Sequence, residues 1–306
     1  MPSPTKLSIL ITGCSSGGMG AALAISFHNA GHRVFATARN PSKLSPLTSL
    51  GIETLPLDIT SSSSIASAVT AISSSLGTAG LNMLINNAAG SYTMPVADAS
   101  LSSARALFDV NVWSQIAVTQ AFIPLLLLAT AVPSSENHRP LPAHSMIVNH
   151  TSVGFMAALP FQGIYNSSKA ALAMLTSTLR MELAPFGITV IDLKTAGVKT
   201  NMITNNNVNS NSDRLPEGSI YEPARKVVEE AMSQDGLRDK GISADEWAGE
   251  VSGVLLGRDP PAEIWKGEGA RLVRVAVGMP GRVFEGAVKK MTKMDVVEGI
   301  IKEGRR

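Results

Sequence analysis

KLSILITGCSSGGMGAALAISFHNA, residues 6–30, passes from an apolar run through a glycine-rich turn into a helical pattern without a break. Glycines between a strand and a helix permit a sharp turn and a close backbone approach, and they present the helix N-terminus to an anionic group such as a pyrophosphate. The spacing of TGCSSGGMG (12–20) is not G-x-G-x-x-G, so the pattern alone is a weak sign. Its place between strand and helix gives it weight, with a ligand-free tight turn as the plainer alternative. Gly13, Ser15, Ser16, Gly18, Met19 and Gly20 are the candidate cradle.

Outward from this stretch the same alternation continues. Strands are predicted at RVFATA (33–38), IETLPL (52–57), LNMLIN (81–86), SMIVNH (145–150) and ITVIDL (188–193), with helices near 18–30, 42–50, 61–76, 102–131 and 163–184. The strands are apolar nearly throughout, as they must be when both faces of a sheet are covered. Strands alternating with helices predict an α/β fold, a Rossmann-type doubly wound parallel sheet. Ser61–Ser64 supplies cap oxygens for the helix that follows Asp58. VPSSENHRPLPAH (132–144) reads as an exposed loop, and the Asn-rich stretch 201–219 reads equally as solvated linker or as lid.

Composition narrows the function classes. The chain has 306 residues, 44% hydrophobic and 16% charged, as expected of a globular protein with a large core. A formal net charge of +2 gives no basic field for nucleic acid. One cysteine, Cys14, permits neither an internal disulfide nor a zinc cluster. The N-terminus lacks the pattern of a signal peptide. AFIPLLLLATAV (121–132) is too short to span a bilayer and reads as a buried helix, while peripheral membrane contact stays open.

Further candidate residues stand at strand ends. After the second strand, where an acid would favour NAD, Ala38 is followed by Arg39, whose guanidinium suits the 2′-phosphate of NADP(H). Asp58 ends the third strand, NNAAG (86–90) with Asn87 ends the fourth, and VNHTS (148–152) delivers Ser152 after the fifth. Tyr165 precedes Lys169 by one helical turn, so the two read either as a proton-donating pair, the cation favouring the phenolate, or as a buried aromatic ahead of a surface lysine. His150 shares a strand face with Ser152 and reads as a satisfied strand-end histidine more readily than as an active-site group. Cys14 reads as a loop filler, and Lys199 as a solvated lysine or a steering charge.

Taken in order, TGCSSGGMG, Asp58, NNA (86–88), Asn111 in FDVNVW, Ser152 and YNSSK (165–169) resemble the short-chain dehydrogenase/reductase family across residues 6–200. The resemblance implies an NADP(H)-dependent oxidoreductase acting on a small-molecule carbonyl. Tyr165 would be the proton donor, Lys169 its charge partner and ribose ligand, and Ser152 the holder of the substrate oxygen. Asn111 would hold a water linking Lys169 to solvent, and Val198 and Thr200 would contact the cofactor. It also implies one domain over 1–306, with 1–200 as cofactor-binding and catalytic core. Residues 201–306 would then add a substrate lid, a last strand and peripheral helices. The departures are an extra residue in the glycine loop, which leaves Gly17 or Gly18 as the second glycine, Ala89 in NNAG, and Thr195-Ala196 where Pro-Gly is common.

FATARNPSKL, GIYNSSKAALAMLTSTLRMELAPFGITV and AEIWKGEGARLVR are similar to the fungal 1-acyldihydroxyacetone-phosphate reductase-like group. That group also holds carbonyl reductases of secondary-metabolite pathways. The mixed, charged C-terminus favours such a pathway ketone or aldehyde over the acyl lipid. The resemblance further implies a homodimer or homotetramer paired through 102–131 and 163–184, in the cytoplasm or at a lipid-droplet or endoplasmic-reticulum surface. A scaffold or a non-redox isomerase or cyclase on the same fold is the reading from another class.

Overall fold

The computed structural model describes residues 6–130, 145–156, 158–201, 214–237, 240–279 and 281–304. Among them the strands are β1 (Ser8–Ile11), β2 (Arg33–Ala38), β3 (Glu53–Pro56), β4 (Met83–Asn86), β5 (Ser145–His150), β6 (Ile188–Thr195), β7 (Val198–Lys199), β8 (Ile242–Ser243) and β9 (Glu263–Lys266). A 7-stranded sheet runs β3-β2-β1-β4-β5-β6-β9, parallel throughout, and β7 with β8 forms a small 2-stranded sheet. The strand order reverses between β1 and β4. In such sheets that point opens a crevice at the carboxyl ends of the strands.

Two apolar layers cover the sheet on its two sides. Ile9, Ile11, Met83, Ile85 and Val148 point to one side, against α1 (Met19–Asn29) and α8 (Ala244–Leu255). Leu10, Leu84, Ile147 and Val190 point to the other, against α3 (Ser62–Leu76) and α5 (Ser114–Thr130). Each such side chain, removed from water, contributes about 1.5–3 kcal/mol. Ser61 caps α3 by accepting from Ser64 N at 3.3 Å, as its sequence predicts.

The predicted helices are modified where the backbone chemistry demands it. The segment 42–50 is a 3-10 turn, Pro41–Leu44, followed by the short α2 (Ser45–Ser49), with proline in the first turn of each. Proline has no N–H to give to a helix interior, so one continuous helix does not form there. The segment 102–131 is α4 (Leu101–Phe108), a π-helical turn Asp109–Trp113, and α5. The run Leu101–Thr130 is long and apolar enough to cross a membrane by length and composition, but 50% of its apolar window is buried in the protein. Phe122, Leu125 and Leu126 take that run into the core, as a buried helix requires.

α6 (Gly163–Leu183) forms as predicted. Beyond it lie α7 (Arg225–Ser233), α8, α9 (Ala270–Ala276), α10 (Glu285–Met291) and α11 (Met294–Glu303). α7 and α11 build a third apolar cluster with Met94, Phe161 and Leu215. The expected loop 132–144 lies outside the described residues, as does 202–213 of the expected lid.

Candidate active site

A cavity of about 530 Å³ opens at the carboxyl ends of β1, β2, β4, β5 and β6. Its centre is the turn from β1 to α1. Gly13 has φ +73°, and a Cβ there would fall 2.7 Å from Ala88 Cα, so the ends of β1 and β4 approach only because that side chain is absent. Gly17 has φ +75° and takes the left-handed turn, while Gly18 is the N-cap of α1 and lines the cavity. This assigns the two glycines that the sequence left interchangeable. No side chain caps α1. Its first amides are therefore open to an anion, and the helix dipole favours one there. Cys14 N and Ser16 N turn inward, to Thr37 O at 2.7 Å and Lys43 O at 3.1 Å.

Gly13, Ser15, Ser16, Gly18 and Met19 of the candidate cradle line the cavity; Gly20 does not. A Cβ on Gly20 would lie 2.5 Å from Asn87 Nδ2 and 2.6 Å from Gly13 O. Its lack of a side chain lets α1 press on the strand ends. Cys14 is fully buried, with its thiol pushed up to about 12 by burial, and so is inert filler.

Arg39, Lys43 and Asp58 stand together at one end. Arg39 is exposed, and Ala38 before it is buried. Asp58 Oδ1 accepts from Thr60 N at 2.9 Å and Thr60 Oγ1 at 2.7 Å; with the Arg39 charge, these bonds hold the carboxyl below its ordinary range. Lys43 was not singled out from sequence. A surface lysine four residues past Arg39 signals nothing until Ser16 N reaches its carbonyl and folds it towards the cavity.

The opposite end holds Ser152, Tyr165 and Lys169, with Asn87, Thr195, Val198 and Thr200 along the walls. Ser152 leaves β5 extended, and its Oγ accepts from Gly154 N at 3.0 Å. Its side chain faces the same cavity as Tyr165. Burial raises the Tyr165 pKa, and the Ser152 hydroxyl opposes the rise. Lys169 is 3% exposed; its Nζ donates to His150 O at 2.9 Å and sits 5.9 Å from the Tyr165 ring centre. Burial lowers its pKa to about 8, against the support of Asp192.

Asn111 falls in the π-helical turn and is fully buried. Its Oδ1 accepts from Gly90 N at 2.8 Å, and its Nδ2 donates to Gly90 O at 3.1 Å and Ser168 Oγ at 3.0 Å. The side chain therefore clamps the end of β4 to α6 and does not line the cavity, so a water on this residue would fall to its backbone. Lys199 is exposed and also outside the lining. His150, a strand-end histidine with both ring nitrogens bonded, lies in the wall.

The residues present suit a dinucleotide: a glycine-lined uncapped helix start, two cations and a carboxylate at one end, and a Ser–Tyr–Lys group at the other. The family model described as short chain dehydrogenase matches residues 8–211. A short-chain dehydrogenase/reductase of Pestalotiopsis microspora is 47% identical over 293 residues, 96% of each chain. The NADPH-dependent 1-acyldihydroxyacetone phosphate reductase of Schizosaccharomyces pombe is 33% identical over 296 residues, 94% of each chain. Among solved structures, a short-chain dehydrogenase of Streptomyces avermitilis superposes with a TM-score of 0.72 at 21% identity, covering 97% of this chain and 98% of that one.

Proposed function

The chain belongs to the short-chain dehydrogenase family, and on that premise we propose that it reduces a ketone or aldehyde of a secondary-metabolite pathway to the alcohol, using NADPH. The observation that carries this reading is the meeting of Ser152, Tyr165 and, one helical turn on, Lys169 in the wall of a single cavity. The glycine loop would hold the pyrophosphate, Arg39 and Lys43 the 2′-phosphate, Asp58 the adenine, and Asn87, Val198 and Thr200 the nicotinamide half. Bound there, the cofactor supplies the hydride.

The chain's own groups supply the proton and the orientation. Ser152 Oγ holds the carbonyl oxygen and stabilises charge on it. Burial raises the Tyr165 pKa, which favours the protonated state an acid needs for the reductive direction. As its proton passes to the oxygen, the Lys169 ammonium favours the phenolate left behind.

The Schizosaccharomyces pombe relative supports a second reading, the ketone of 1-acyldihydroxyacetone phosphate. Nicotinamide absorbance with purified protein, NADPH and a panel of carbonyls that includes 1-palmitoyldihydroxyacetone phosphate separates the two. Tyr165→Phe is expected to lower turnover by roughly 10²–10⁴-fold while NADPH still binds. Unchanged turnover in that variant would overturn the mechanism.

A further inference from the structure

His150 and Thr195, the second of them a departure from the common family pattern, meet in the cavity wall. His150 is 5% exposed; its Nδ1 lies 3.0 Å from Asn87 Oδ1 and its Nε2 lies 2.7 Å from Thr195 Oγ1. Its ring stacks on Trp247 of α8, with centres 5.2 Å apart and planes 17° from parallel. The carbonyl of the same residue accepts from Lys169 Nζ. A proline at position 195 would offer His150 no hydroxyl, so the imidazole and the threonine form a matched pair.

The hydrogen bonds around Asn87 decide where the His150 proton sits. Asn87 Nδ2 donates to Thr12 O at 2.8 Å and Gly13 O at 3.1 Å, two carbonyls that only accept. The amide is thereby oriented with its oxygen towards His150, and that oxygen also only accepts. Nδ1 must then carry the proton, leaving Nε2 bare to accept from the Thr195 hydroxyl. Asn87 cannot swing away, because α1 packs against its amide at Gly20. One imidazole thus joins the glycine loop, through Asn87, to the end of β6, through Thr195.

We infer that His150 is a positioning residue: as the neutral Nδ1–H imidazole it ties the two walls of the cavity together and sets their separation where the nicotinamide half would lie. This rests on the reading of the cavity as an NADP(H) site. Loss of one partner strands a buried polar atom on the other, whereas loss of both is milder.

The test is NADPH titration without substrate, followed by protein fluorescence, on His150→Leu, Thr195→Val, the double variant and His150→Asn. The single variants are expected to bind about tenfold more weakly, the loss of about 1.4 kcal/mol. The double variant should bind more tightly than the product of the two losses, and His150→Asn, whose amide nitrogen replaces Nδ1 as donor to Asn87, should recover most of the affinity. Imidazole nitrogen NMR of the wild type, assigned against the His150→Asn spectrum, should place the proton on Nδ1. A proton on Nε2, or wild-type affinity in folded Thr195→Val, overturns the inference. The spectrum and Thr195→Val decide it even where His150→Leu does not fold. Failure to bind NADPH at all would instead sink the cofactor reading, and the tautomer would still be measured.

Discussion

Arg39 stands exposed where β2 ends, with Lys43 beside it on the cavity rim and the Asp58 carboxyl within reach of its charge. A guanidinium bonded to a phosphate is worth roughly 1.5–3 kcal/mol. Arg39→Ala is therefore expected to weaken NADPH binding by about 10–100-fold and to leave NADH unmoved, as read by titration of each cofactor. Equal affinity of the unaltered protein for the two would refute the role. Arg39 was legible because a strand end without an acid is a local pattern. Lys43 was not, because a tertiary bond from Ser16 N brings it to the rim. Gly20 shows the converse: the motif marks the residue, and only the approach of Asn87 shows what its missing side chain makes room for.

β6 carries an ion pair that residue-by-residue reading passes over. Asp192 and Lys194, two apart and so on one face of the strand, are 0% and 2% exposed and bonded to each other. Lys194 also reaches Glu263 on β9 at 3.0 Å and lies 4.9 Å from the Phe155 ring centre and 5.3 Å from that of Trp265. Thr151, the neighbour of Ser152, donates its hydroxyl to Asp192. The pair thus pins the strand end that carries Ser152. Asp192→Asn is expected to cost roughly 3–5 kcal/mol, because Lys194 loses its buried partner, while Asp192→Asn with Lys194→Met should regain most of it; urea midpoints measure both. The same single variant should move the alkaline limb of the pH–rate profile to lower pH. Lys169, already drawn down to about 8, loses a carboxylate that supports its charge. In sequence, ITVIDLKT shows a strand but not that its two charges face inward, since charged residues ordinarily mark a solvated face. The long helical patterns were legible as elements, whereas the π-helical turn within one of them leaves no periodic trace.

The whole molecule leaves an apolar face open on α5 and α6. Met174 and Met181 are 69% and 71% exposed on α6, and Trp113 and Leu128 are 56% and 43% exposed along α5 and the turn before it. Such a face is expected to pair with a second copy of the chain. Light scattering should give the mass of two or four chains, and Met174→Glu with Met181→Glu should shift it towards one; a monomeric unaltered protein would refute the pairing. At this scale the first two-thirds of the fold was legible, because its strands and helices are long enough to be periodic. The last third was not, because α9 and α10 have 7 residues each and β7 and β8 only 2. Met94, Phe161, Leu215, Val228, Met232 and Val297 make their own core beside the segment that carries Ser152 and Tyr165, sharing no side chain with the two cores of the sheet. Substitutions there leave intact the two cores that frame the strand ends. Duplicated copies of the gene would therefore keep the sheet that frames the cavity while varying the cluster beside it.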